Sequence, residues 1–246
     1  WSSDVCSSEL SDLVDEKANG GTDILDFSAT TTLAVSVNVS VTTSQTVNKN
    51  LALRLVDGAS VENITGGSLG DTLTGNNLDN TLIGGPGNDN LRGGLGNDIY
   101  GFDADAALGS DILQDTGGQD LLDFSQTTTL GVNVNLNNTA AQVVNGFLTL
   151  TLPAEIEHVV GGAKANILIG NNLANILIGG ASSDTLSGGG GRDILIGGSG
   201  IDTVHGGLGE DIVIGGTVTY YDETTKVIQY SNLLSLMHEW TQATTY

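Results

Sequence analysis

The sequence is poor in most of what a compact globular protein relies on. Its one cysteine, Cys6, rules out an internal disulfide framework. That scarcity fits either a cytosolic chain or an extracellular one braced by metal. Only 2 prolines occur, and glycine does not fall at every third position, so collagen is excluded. Aromatic residues make up 4% of the chain although hydrophobic residues make up 39%. Apolar burial therefore falls to many small aliphatic side chains, which suits a thin, stacked core. Lys and Arg number 7 against 29 Asp and Glu, a formal net charge of −22. Such a field repels nucleic acid and anionic lipid surfaces. No apolar run is long enough to span a bilayer as a helix. Residues 1–10, WSSDVCSSEL, lack the basic start and apolar stretch of a signal peptide and resemble nothing downstream. They are expected to be read-through or a cloning scar, outside the fold.

What the chain does have is glycine, 36 of 246 residues, with Leu, Ile and Val recurring among the glycines at regular intervals. That regularity argues against a flexible linker. A chain this acidic either stays disordered or is neutralised by cations, and the placing of its carboxylates decides which. They are spaced, not scattered.

Two related modules follow one another. The first carries TDILDFSATTTLAVSVNV (residues 22–39) and the second QDLLDFSQTTTLGVNVNL (residues 119–136). Each continues into alternating leucines at 51–55 and 148–152, then a hinge-like phrase, VENITGG (61–67) or IEHVVGG (156–162). In the lead-ins, Val35, Val37, Val39 and Val41 alternate with polar residues, as do Val132, Val134 and Leu136. That period of two predicts strands. The tail places Leu233, Leu234, Leu236, Met237 and Trp240 at helical spacing. It predicts one short amphipathic helix, as a cap over the solenoid end or the start of a further domain. The divisions are 1–10, lead-in 11–65, array 66–101, lead-in 102–160, array 161–216 and tail 217–246.

Cut every nine residues from Gly66, the first array reads GGSLGDTLT, GNNLDNTLI, GGPGNDNLR, GGLGNDIYG. From Gly161 the second reads GGAKANILI, GNNLANILI, GGASSDTLS, GGGGRDILI, GGSGIDTVH, GGLGEDIVI. Five units, beginning at Gly84, Gly93, Gly188, Gly197 and Gly206, match GGxGxDxUx in full, U being apolar.

These units resemble the RTX, or haemolysin-type, calcium-binding nonapeptide repeat. Within each unit, six residues make a turn in which glycine supplies positive φ. Three more make a short strand with one residue inward: Leu73, Leu82, Leu91, Tyr100, Leu168, Leu177, Leu186, Leu195, Val204 and Val213. Two units complete a coil, so aspartates 18 residues apart stack on one edge. At a strand spacing of about 4.8 Å their carboxylates repel. A hard dication resolves that repulsion, and Ca²⁺ suits irregular, carbonyl-rich geometry. The pairs are Asp71 with Asp89, Asp184 with Asp202, and Asp193 with Asp211. Asn80 with Asp98 is a weaker fourth. The resemblance implies further carbonyl ligands: Gly66, Ser68, Gly85 and Gly87 around the first pair. Around the others it implies Gly179, Ala181, Gly198, Gly200, Gly188, Gly190, Gly207 and Gly209. Asn166, Asn175, Lys164 and Leu69 break the pattern, so the opening coils of each array are expected to bind weakly or stay empty.

Catalytic patterns fail on inspection. His238-Glu239 begins HExxH, but Gln242 stands where the second histidine belongs. Residues 66–70 satisfy GxSxG inside a glycine turn rather than between a long strand and a helix. His205 is expected to be solvated, and His158, beside Glu155 and Glu157, to lie at the start of the second array rather than in a catalytic dyad.

The fold expected is all-β: a right-handed parallel β-roll with two calcium arrays and a short C-terminal helix. The resemblance implies a secreted or cell-surface bacterial protein, exported by type I secretion and folding on Ca²⁺ outside the cell. It implies no catalysis, nucleic acid or membrane insertion. Alternatives are an adhesin segment contacting a surface or glycan, and the accessory part of an exported enzyme whose catalytic domain lies elsewhere.

Overall fold

The structure, a computed structural model, describes residues 22–58, 61–217 and 229–239, and the backbone alone of 10–14, 221–222, 227–228 and 240–242. Cys6 with the rest of segment 1–9 and the side chain of Trp240 lie outside the described residues.

A nine-residue unit with one inward apolar residue forms a short strand: three residues in the first array, as in Thr72–Thr74, and up to six in the second, as in Ile176–Ala181. In the first array Thr72 lies opposite Asn90 and Leu73 opposite Leu91 in parallel register. In the second, Ile176 lies opposite Ile194 and Leu177 opposite Leu195. Each coil is therefore 18 residues, as the unit length requires. Stacking produces a parallel β-roll with one helix.

One flank is a single nine-stranded sheet running from Ile24–Asp26 to Ile212–Ile214. It passes through both arrays and the second lead-in without a break, so the sequence boundaries at 101 and 160 coincide with no gap in strand pairing. The opposite flank is divided into a six-stranded and a four-stranded sheet. The division falls where the hairpin formed by Gln142–Val143 and Leu148–Thr151 bends the chain outward. The first lead-in has the same hairpin, with Gln45–Asn48 antiparallel to Leu51–Leu55. Leu10–Val14 pairs in parallel with Leu51–Leu55, as Gly109–Gln114 does with Leu148–Thr151. Leu10, set aside with the segment before it, thus sits inside a strand of the repeat.

Between the flanks runs a narrow core. Leu73, Leu82, Leu91, Tyr100, Leu168, Leu177, Leu186 and Leu195 are fully buried. Each such burial is worth about 1.5–3 kcal/mol. The column weakens at its last described coil, where Val204 is partly buried and Val213 is 49% exposed, because among the described residues no strand stacks beyond them. In the lead-ins Val35, Val37 and Val39 are buried, but the alternation stops before Val41, since a turn begins at Val39.

The helix Tyr230–Gln242 does not cap the end of the stack. Its Tyr230, Leu233 and Met237 pack on the outer face of the nine-stranded sheet, against Leu121, Val160, Ile176, Ile178, Ile194 and Ile196. The outward positions of that sheet are apolar there. On the four-stranded sheet Ile167 and Ile169 are followed by Thr185, Ser187, Thr203 and His205 at the corresponding positions, so the apolar stripe does not continue. No helix among the described residues is long and apolar enough to cross a membrane.

Candidate metal centres on the turn edges

The sixth residue of each unit stands where turn meets strand, and stacking lines these residues up in columns. Along the six-stranded sheet the N–H of Val35 donates to Asp71 Oδ1 (2.7 Å), that of Asp71 to Asp89 Oδ1 (2.7 Å), and that of Asp89 to Asp111 Oδ1 (2.9 Å). Along the nine-stranded sheet Asn80 donates to Asp98 Oδ1 (2.7 Å), Asp98 to Asp120 Oδ1 (2.9 Å) and Asp120 to Glu157 Oε2 (3.0 Å). That column resumes with Asn175 to Asp193 Oδ1 (2.9 Å) and Asp193 to Asp211 Oδ1 (3.1 Å). On the four-stranded sheet Asn166 donates to Asp184 Oδ1 (2.7 Å) and Asp184 to Asp202 Oδ1 (2.9 Å). All four expected pairs are thus brought together, each through a backbone N–H of one residue and a side-chain oxygen of the next.

Four acidic members were missed in sequence. Asp111 and Asp120 follow their predecessors by 22 residues rather than 18. Residues 102–105 are an insertion of four, after which 106–114 and 115–123 are two further units in frame, with Gly109 and Gly118, at the fourth position, surviving from the consensus. Glu157 and Glu62 belong to the hinge-like phrases, and Glu62 Oε2 accepts the N–H of Asp23 at 2.8 Å. The signal available was that the apolar eighth position persists, as Leu113 and Leu122, after the glycines fade.

One oxygen of each aspartate is used by the ladder, and the other is the one a cation would take, although Asp71 Oδ2 already accepts the N–H of Gly67 at 2.5 Å. Oδ2 of Asp89, Asp98, Asp120, Asp193 and Asp202 is buried with no hydrogen-bond partner. Burial pushes Asp89 and Asp193 up to about 6, Asp98 and Asp111 to about 7 and Asp120 to about 8, with neighbouring carboxylates adding to the rise. Buried polar atoms normally find partners, so a row of orphaned carboxylate oxygens marks a place for a positive charge. The first glycine of each turn leaves the space. A Cβ on Gly188 would collide with Asp193 Oδ2 and with the carbonyl of Gly206, and one on Gly66 would lie 2.5 Å from Asp71 Oδ2 and collide with the Gly84 carbonyl. Carboxylate and carbonyl oxygens therefore converge on these points, a donor set suited to Ca²⁺.

The carbonyl residues implied by the resemblance occupy these turns. Gly66, Gly179 and Gly188 face the Oδ2 atoms of Asp71, Asp184 and Asp193. Gly85, Gly87, Gly198, Gly200, Gly207 and Gly209 all take positive φ. Gly198 stacks on Gly180, Gly207 on Gly189, and Gly190 on Leu208, while Ala181 lies opposite Ser199. Ser68 is held by its N–H to Thr30 O at 2.9 Å. At Gly85 (φ +87°) a Cβ would meet the Gly67 carbonyl at 2.6 Å, so the coils can stack only without one.

Asparagine-bearing coils are satisfied differently. Asn175 Nδ2 donates to Glu157 O (2.8 Å) and Asn171 Oδ1 (3.0 Å), while its Oδ1 accepts the N–H of Asn171 (2.9 Å). Asn80 Nδ2 donates to Glu62 O (3.0 Å), and Asn166 Nδ2 to Gly179 O (2.9 Å) and Gly162 O (3.1 Å). The amide NH₂ supplies donors where the aspartate coils leave an oxygen orphaned. This is the physical basis for expecting the opening coils to bind weakly.

The three histidines lie in different places. His158 is fully buried, and burial holds its pKa down at about 3. Its Nδ1 accepts the N–H of Ile176 (2.9 Å), and its ring stands edge-on to Tyr230 at 5.6 Å. His205 is exposed on its strand, as expected. His238 and Glu239 line a cleft of about 840 Å³ between helix and sheet, with Asp79, Asn97 and Gln119 opposite.

Comparison with curated proteins found no match to the chain. Comparison with protein families matched the RTX calcium-binding nonapeptide repeat in four copies, over residues 65–100, 156–186, 169–204 and 187–217. Both glycine-rich arrays belong to the RTX calcium-binding nonapeptide repeat family, and the cation their turns bind is Ca²⁺.

Proposed function

We propose that the chain is a calcium-triggered folding module and spacer of an exported bacterial protein, with no catalytic role of its own. The observation that carries this reading is the row of buried, orphaned Oδ2 atoms in a chain of net charge −22. Without a cation these carboxylates oppose stacking, and the thin aliphatic core is too small to override them. With Ca²⁺ bound, the binding free energy becomes folding free energy. Extracellular calcium modules bind at roughly 10⁻⁴ to 10⁻³ M, far above the free calcium of a cytosol. Such a chain would cross an export channel unfolded and order itself outside.

The test is a far-ultraviolet circular-dichroism titration of the chain with calcium and with EGTA. The expected outcome is a largely unfolded chain in EGTA that gains β-structure cooperatively in the millimolar range. Full order in excess EGTA, unchanged by calcium, would overturn the reading.

A further inference from the structure

One group of carboxylates stands apart from the array pairs. Ligand oxygens of Asp98, Asp115 and Asp120 all lie within 4.8 Å of one another. Asp98 and Asp120 are fully buried. Their Oδ1 atoms are taken by the N–H groups of Asn80 (2.7 Å) and Asp98 (2.9 Å), which leaves both Oδ2 atoms buried and unpartnered. Asp115 occupies the first place of the unit 115–123, where the arrays have glycine, and so adds a third carboxylate to the usual two. It is held firmly. Its Oδ1 accepts the N–H groups of Thr116 (2.6 Å) and Gly117 (3.0 Å), and its Oδ2 accepts the hydroxyl of Tyr100 (2.5 Å). Tyr100 O–H is itself fixed by the N–H of Gly93 at 2.9 Å. A Cβ on Gly93 would collide with Asp98 Oδ2 and lie 2.7 Å from Asp115 Oδ2, so glycine keeps the space between them open. The ion pair of Arg192 with Glu210 lies in another turn.

The position of the cluster matters as much as its charge. Asp98 ends the first array, while Asp115 and Asp120 follow the insertion at 102–105 and open the second lead-in. A cation held by all three closes the stack across that insertion. Affinity in oxygen-ligand calcium sites rises with the number of charged ligands and the rigidity of the site. The charge is greater here than at an array pair, and Asp115 is fixed by three hydrogen bonds.

We propose that Asp98, Asp115 and Asp120 hold a calcium ion at the junction of the two modules, in a three-carboxylate site that fills before the array sites and couples the modules' folding. This rests on the reading of the chain as a calcium-binding module and adds a site that extends the first array, from Asp98, into the units beyond the insertion.

Tyr100 makes the site separately visible, because its ring is an antenna for terbium, a hard ion that takes calcium sites. The full chain, stripped of calcium, is titrated with terbium while tyrosine-sensitised emission and total bound metal are followed together. In the wild type the emission is expected to saturate with the first equivalent bound. Tyr100→Phe should lose several-fold in emission and also weaken the first equivalent, because it removes the hydroxyl that holds Asp115 Oδ2. Asp115→Asn should weaken that first equivalent about tenfold or more and leave the later ones unchanged. An early equivalent that binds dark, emission growing evenly over all equivalents, or an Asp115→Asn titration identical to wild type would each overturn the proposal. If Asp115→Asn fails to fold in saturating calcium, the order of filling in the wild type decides alone. A wild-type chain that binds neither terbium nor calcium defeats the broader reading instead, so the two failures are distinguishable.

Discussion

The backbone N–H of Asn175 donates to Asp193 Oδ1 at 2.9 Å, and in this one column the two side chains solve the same problem by different means. Asn175 carries its own donors, to Glu157 O and Asn171 Oδ1. Asp193 leaves Oδ2 bare. Asn175→Asp should therefore lose about 1–3 kcal/mol of whatever order survives without calcium, and gain one calcium equivalent in isothermal titration calorimetry. An unchanged stoichiometry would show that the asparagine coils are closed to metal for a reason other than the amide.

The raised carboxyl groups make the metal-free state pH-dependent. Asp89, Asp98, Asp111, Asp120 and Asp193 are pushed to about 6, 7, 7, 8 and 6, and Glu157 to about 7. A carboxyl with a higher pKa folded than unfolded binds more protons in the fold, so stability falls as pH rises between the two values. His158 works the other way. Its pKa falls from 6.5 to about 3, so stability drops as pH falls through that interval. Six carboxyls outweigh one imidazole above the acid range. The calcium-free chain should thus gain β-signal in circular dichroism as pH is lowered from about 8 to about 5, and its apparent calcium affinity should weaken over the same interval. A signal independent of pH would mean that the columns do not form without metal.

Stacking should be sensitive to single methyl groups at the turn glycines. Gly85→Ala combines a φ of +87° with a Cβ placed 2.6 Å from the Gly67 carbonyl. It should cost about 1–3 kcal/mol in calcium-saturated thermal unfolding. Gly146→Ala, at an exposed hairpin position with nothing within 4 Å, should stay within about 0.5 kcal/mol of wild type. Equal effects at the two positions would contradict the contact argument.

The helix should come away from the roll without unfolding it. Leu233 is fully buried against the nine-stranded sheet, and Tyr230 O–H donates to Gln119 O at 2.8 Å. Leu233→Ala should weaken docking by about 2–5 kcal/mol. It should be read as lost hydrogen-exchange protection over Tyr230–Gln242 with the array strands still protected. Loss of protection throughout would mean that the helix is part of the cooperative unit.

The parallel stack, the 18-residue coil and the inward leucines were legible because a nine-residue period repeats without interruption through each array. The pairs Asp71–Asp89, Asp184–Asp202 and Asp193–Asp211 followed from the same count. Asp111, Asp115 and Asp120 did not, because four inserted residues put the spacing out of phase and a carboxylate replaces the first glycine. Stacking tolerates such an insertion as a bulging turn, since only the strand residues must stay in register. The hinge-like phrases hid Glu62 and Glu157, which stand one residue before their strands, in register with Asn80 and Asp120, but without the GGxGx turn ahead of them.

By itself, the amino-acid order determined the repeat, its period and the spacing of its carboxylates, since these depend only on which residue types recur at which interval. The tertiary structure decided the rest: which oxygens are left without partners, where the two modules meet in a shared acidic cluster, and which flank receives the helix. Those outcomes depend on burial and on contacts between residues far apart in sequence, such as Tyr230 with Gln119, which no local pattern encodes. Stacking turns a one-dimensional spacing into columns of charge, and the energy of those columns exists only once the coils lie on one another.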